Sequence, residues 1–124
     1  MFYRFMSNKE MQKLSSGMVL KHTGKFNART TSNGFCFLSD EKYTPEEAYL
    51  FLSGIVTDDV VVEFKTNTPL VESIGIYSDP YGNYFDCMEV KEYCISEYSR
   101  ETMIPVRYGI LGERCREINW YSFN

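Results

Sequence analysis

The 124-residue chain contains a single histidine, His22, and its four cysteines, Cys36, Cys87, Cys94 and Cys115, form no CxxC pair. Structural zinc draws on closely spaced His and Cys ligands, so no zinc set can be assembled and the cysteines read as reduced thiols. Runs of Lys or Arg are missing as well: 13 basic residues stand against 17 acidic ones, for a formal charge of −4. Nothing here would track a phosphate backbone, which argues against a nucleic-acid partner. No stretch approaches the roughly 20 apolar residues that span a bilayer, and the segment Met1 to Glu10 turns polar too early to hold a signal-peptide apolar region. The expectation is a cytoplasmic protein with no metal and no membrane contact. Internal repeats, linkers and low-complexity tracts are also lacking, so residues 1–124 are expected to form one domain. His22 has no Ser or Cys that the sequence can place beside it, which leaves a hydrolytic triad without support.

What is present is an ordinary apolar content of 44% and a high aromatic share of 16%, with ten Tyr and nine Phe. Aromatic rings bury much area and also offer stacking faces. Phe2 to Met6 form a short aromatic run suited to a buried strand, and Ser7 to Glu10 has the S-x-x-E form of a capping box. A helix is predicted to begin at Ser7, with Met11 and Leu14 one turn apart on its apolar face and Gly17 as its left-handed stop, before a strand through Val19 to His22. Thr23 to Asn33 is polar and reads as a surface loop. Gly34 to Leu38 is an apolar run too short for a helix. Thr44-Pro45-Glu46-Glu47 then places a cap, a first-turn proline and a reciprocal glutamate in order, predicting a helix from Pro45 to about Ser53 that ends at Gly54. Val60 to Phe64 reads as a β-branched strand buried on both faces, Asp79 to Asn83 as a turn, and Glu92 to Ser96, Met103 to Tyr108 and Ile118 to Phe123 as three further strands. The pattern is α+β with a sheet-rich second half.

The opening Phe2-Tyr3-Arg4-Phe5-Met6-Ser7, with its capped helix and Ser16-Gly17, resembles the start shared by many ADP-ribosyltransferases: a strand bearing an aromatic followed by His or Arg, a Ser or Thr three residues on, then a helix closed by Gly. Gly34 to Ser39, the helix carrying Glu47, Ala48 and Tyr49, and the strand from Val60 are similar to that family's Gly-led strand, Ala-bearing helix and following strand. The resemblance implies a mixed β core with two main short helices. It also implies an NAD-dependent mono-ADP-ribosyltransferase acting on a protein acceptor, with NAD as substrate. On it, Arg4, with Tyr3 and Ser7 beside it, would hold the NAD ribose and phosphates. Thr31 and Ser32, in the triplet from Thr30, would shape the nicotinamide pocket, with Ser39 as the alternative register. The family's Tyr that stacks on nicotinamide is replaced here by Cys36, so Phe37 or Tyr49 would have to supply the ring.

In the same family a late glutamate starts a strand that is followed by a proline-bearing one, which maps onto Glu92, with Glu97 as the alternative. Breaking the nicotinamide glycosidic bond builds positive charge on the ribose, which a fixed carboxylate would stabilise. Position 90 is Val and position 95 is Ile, where members that modify arginine or asparagine carry Glu or Gln, so the acceptor is not set. The transferase reading requires Arg4 and Glu92 to face one nucleotide-sized groove. The competing reading is a small acidic domain that binds and blocks a partner protein without chemistry, on a transferase-like scaffold or otherwise.

Overall fold

A computed structural model describes residues 1–22, 34–51, 58–73, 76–78, 84–86, 92–112 and 117–123. Among the described residues the chain begins with β1 (Phe2–Met6), α1 (Asn8–Ser15), β2 (Leu20–Lys21), β3 (Phe35–Ser39), α2 (Pro45–Phe51), β4 (Val60–Thr66) and β5 (Val71–Ser73), with the short strands β6 (Ile76–Ser78) and β7 (Tyr84–Asp86) forming a separate ribbon. The chain continues through β8 (Glu92–Ile95), β9 (Glu97–Tyr98), β10 (Met103–Leu111) and β11 (Ile118–Ser122). Seven strands make one sheet in the order β11-β10-β4-β1-β3-β8-β5, and β2 pairs with β9. The protein is thus a strand-rich α+β domain. Its main sheet is antiparallel in every described pairing, where a mixed core was expected. The reason lies in the first crossover: the chain leaving α1 lays β2 against β9 rather than beside β1, so α1 does not deliver a parallel strand to the sheet.

Local chemistry sets the elements as the residues suggest. The Ser7 Oγ accepts from the Glu10 N–H and caps α1, and Gly17, at φ +84°, closes it: the Met18 N–H bonds the Lys13 carbonyl and the Gly17 N–H the Leu14 carbonyl. At α2 the capping box is complete, with Glu47 N–H donating to Thr44 Oγ1 and Thr44 N–H to Glu47 Oε1, each 3.2 Å. The α2 helix is described to Phe51, and the expected continuation to Ser53 and Gly54 lies outside the described residues, as do the loop Thr23 to Asn33 and the turn Asp79 to Asn83. Pro105, expected in a strand, sits where the β10–β4 register shifts and outside the stretch of β10 that pairs β11, so its missing N–H interrupts no regular ladder.

The sheet buries both faces. Met6, Val60, Val62, Phe64, Phe37 and Met103 pack with Leu14 of α1 on one side. On the other, Tyr3, Leu38 and Val61 pack with Ala48 of α2. A helix therefore covers each face, and the Val60 to Phe64 stretch of β4 is buried, as its largely apolar run suggests, while Lys65 and Thr66 at its end are exposed.

Candidate functional site

Side chains directly opposite each other on neighbouring strands point to the same face, and successive residues alternate. One transverse row crosses the sheet from β11 to β8: Ser122, Arg107, Glu63, Tyr3, Leu38 and Glu92. Leu38 and Tyr3 belong to the core under α2, so Glu92 stands on the α2 face. Arg4 is opposite Val62, which belongs to the core under α1. The guanidinium and the carboxylate that the transferase reading needs in one groove are on opposite faces of the sheet, with strand β3 between their own strands.

Arg4 is already engaged. Its Nε and Nη2 donate to Glu10 of α1 at 2.7 and 3.0 Å, and its Nη1 donates to the Cys36 carbonyl at 3.1 Å. The guanidinium carbon lies 5.2 Å from the centre of the Phe35 ring and 6.0 Å from that of Phe37. The Tyr98 hydroxyl donates to the same carboxylate at 2.7 Å. Burial alone would lower the Arg4 pKa, but the hydrogen bonds and charge of Glu10 outweigh it and hold it above the ordinary arginine value. Burial pushes the Glu10 carboxyl up, and the Arg4 hydrogen bonds and charge, with the Tyr98 hydroxyl, bring it below its usual range. Burial, then the Glu10 charge, raises the Tyr98 phenol. A phosphate reaching Arg4 would have to displace a two-pronged carboxylate.

The expected ring residues are interior. Tyr3 is fully buried, its hydroxyl donates to the Tyr43 carbonyl at 3.2 Å, and burial followed by the Asp40 charge raises its pKa. Phe37 is enclosed among Phe64, Tyr98 and the Arg4 guanidinium, with edge-to-face ring centroids 5.4 and 5.2 Å apart. Tyr49 lies beside Phe5 and donates to the Gly112 carbonyl at 2.9 Å. Ser7 serves as the α1 cap, Ser39 Oγ accepts from the Glu41 N–H, and Glu97 is exposed on β9 opposite Lys21. Thr31 and Ser32 lie outside the described residues. Glu92 itself is 1% exposed. Among the described residues no group of three or more His, Cys, Asp or Glu side chains is arranged to hold a metal ion, and no helix is long and apolar enough to cross a membrane.

Two constellations were not singled out from the sequence. Glu10 is read there as a capping-box partner, yet its carboxylate turns to Arg4. The second lies on the α2 face, where Glu63, 5% exposed, receives Arg107 Nε and Nη2 at 2.8 Å each. The Arg107 guanidinium stacks 3.7 Å over Trp120, whose indole N–H donates to Glu46 of α2 at 2.7 Å. Hydrogen bonding to Glu63, opposed by burial and aided by the Glu63 charge, raises the Arg107 pKa. A glutamate inside a strand buried on both faces is itself the signal that some other strand must supply a cation.

On the opposite face of β10 and β11, the face of Val60 and Val62, the sheet has an exposed aromatic and aliphatic strip. Tyr121 is opposite Tyr108 and stacks on it at 5.4 Å, and Ile110 is the next residue on that face of β10. Tyr121 and Ile110 are 49% and 44% exposed. Comparison of the chain with family models, curated proteins and solved structures returned no match.

Proposed function

We propose that this domain is a non-enzymatic binding protein that acts by covering a surface of a partner protein. The observation that carries this reading is the opposite-face arrangement of Arg4 and Glu92: the charge that would grip NAD and the carboxylate that would stabilise the ribosyl cation cannot act on one molecule across a packed sheet. Arg4 is moreover occupied by Glu10, and Tyr3 and Phe37 are packed in the interior. The exposed strip of Ile110 and Tyr121 on β10 and β11, in a chain of net charge −4, is the kind of surface that seats on an apolar patch with a basic rim.

The test pairs a catalytic with a binding readout. Nicotinamide release from NAD in cell lysate should be the same for wild type, Glu92→Ala and a no-protein control, and calorimetry with NAD should show no saturable heat. A partner cross-linked to wild type and to Glu92→Ala should be lost from Ile110→Asp/Tyr121→Asp. Turnover that disappears in Glu92→Ala would overturn the binding reading in favour of an NAD-dependent transferase.

A further inference from the structure

Cys36 on β3 and Cys94 on β8 are directly opposite each other in the antiparallel register, and their sulfurs are 3.1 Å apart. We propose that these two residues are a reversible disulfide site that clamps β8 to the sheet when the protein meets a peroxide. Both are present as thiols and both are partly accessible, so a small oxidant can reach them. Opposed residues on neighbouring antiparallel strands have Cα atoms about 4.5–5.5 Å apart, inside the roughly 4.4–6.8 Å that a disulfide accepts. From 3.1 Å the sulfurs need close by only about 1 Å to reach bonding distance, a shift within side-chain rotation. The cross-link would tie positions 36 and 94, which are near in space and far apart in the chain, and it would hold β8 and, through it, the edge strand β5.

The chemistry balances with a hydroperoxide as the oxidant. The Cys94 thiolate attacks one peroxide oxygen, the O–O bond breaks, and the sulfur becomes a sulfenic acid as an alcohol, or water from hydrogen peroxide, departs. The Cys36 sulfur then attacks the sulfenic sulfur, the S–S bond forms, and the Cys36 proton leaves with the hydroxide as water. Two thiols and one hydroperoxide give one disulfide, one alcohol and one water. The division of roles follows the surroundings of Cys36: its hydrogen bond to Cys94, its burial and the nearby Glu92 charge all raise its pKa, so it keeps its proton and acts second. A resolving thiol already in contact with the sulfenic acid also outcompetes further oxidation.

The experiment uses the full chain carrying Cys87→Ser and Cys115→Ser, so that only this pair remains. Native protein is treated with hydrogen peroxide, residual thiols are alkylated, and intact-mass and peptide mapping follow. The expected result is the loss of two hydrogen atoms, a Cys36–Cys94 cross-linked peptide in monomeric protein, recovery of both thiols with dithiothreitol, and a thermal midpoint higher by about 5–15 °C in the oxidised form. Cys94→Ser should abolish the cross-link. Two fully alkylatable thiols after treatment, stepwise oxygen addition to the sulfurs, disulfides between molecules, or a bond that forms only in urea would each overturn the proposal.

Discussion

Replacing Arg4 with Met tests whether the residue that looked like an NAD ligand is in fact a structural cation. The substitution keeps an apolar stem against Phe35 and Phe37 but removes both bonds to Glu10 and the bond to the Cys36 carbonyl. It leaves a carboxylate whose side chain is 18% exposed. Removing one partner of a fully buried pair costs about 3–5 kcal/mol, and partial access to water reduces this to about 2–4 kcal/mol. Glu10→Gln, which retains an acceptor for Tyr98, should cost about 1–2 kcal/mol, and the double variant should fall short of the sum by about 1–2 kcal/mol. Urea unfolding read from the fluorescence of the single tryptophan, Trp120, measures all four corners of the cycle. The pH dependence has a definite sign. Because the folded carboxyl of Glu10 lies below its unfolded value, its contribution is complete above about pH 4.3 and is lost as the pH falls through the folded value, so wild type should lose more stability on acidification than Glu10→Gln. Additivity within about 0.5 kcal/mol, or a neutral Arg4→Met, would refute the argument and return Arg4 to the list of ligand-binding candidates.

Further changes probe other parts of the scaffold by the same unfolding assay. Arg107→Met should destabilise by about 2–4 kcal/mol, since it strands the enclosed Glu63 carboxylate, and adding Glu63→Gln should recover part of the loss. Gly34→Ala should cost about 2–4 kcal/mol, because Gly34 has φ +111° and an added Cβ would meet the Ile95 carbonyl oxygen at 2.7 Å. Thr44→Ala removes the acceptor that caps the first turn of α2 and should cost about 1 kcal/mol, whereas Ser39→Ala should be close to neutral.

The elements were legible because their signals are local. Ser7 and Thr44 act as caps, Gly17 stops a helix with a positive φ, and the apolar run from Val60 forms the strand buried on both faces, each for a reason contained within a few residues. Strands β5, β6, β7 and β9 were not foreseen: they are two or three residues long, too short to show a period. The site was less legible than the elements, because it depends on register. In the sheet the strand of Glu92 lies two places from the strand of Arg4, which does not by itself say which way either side chain points. Since the side-chain period is two, a slip of one residue between β3 and β8 would move Glu92 to the face of Arg4. Such a slip would also take Tyr93 and Ile95 off the α1 face, where Ile95 packs against the core and the Tyr93 ring meets Phe2 at 5.3 Å, and would separate Cys36 from Cys94. The packing of those neighbours fixes the register and therefore keeps the two charges apart. The pairing that sets the two sulfurs in contact is the same one that puts Glu92 on the far side of the sheet from Arg4, so a Cys36–Cys94 disulfide formed in the native protein would independently report the register on which the functional reading rests.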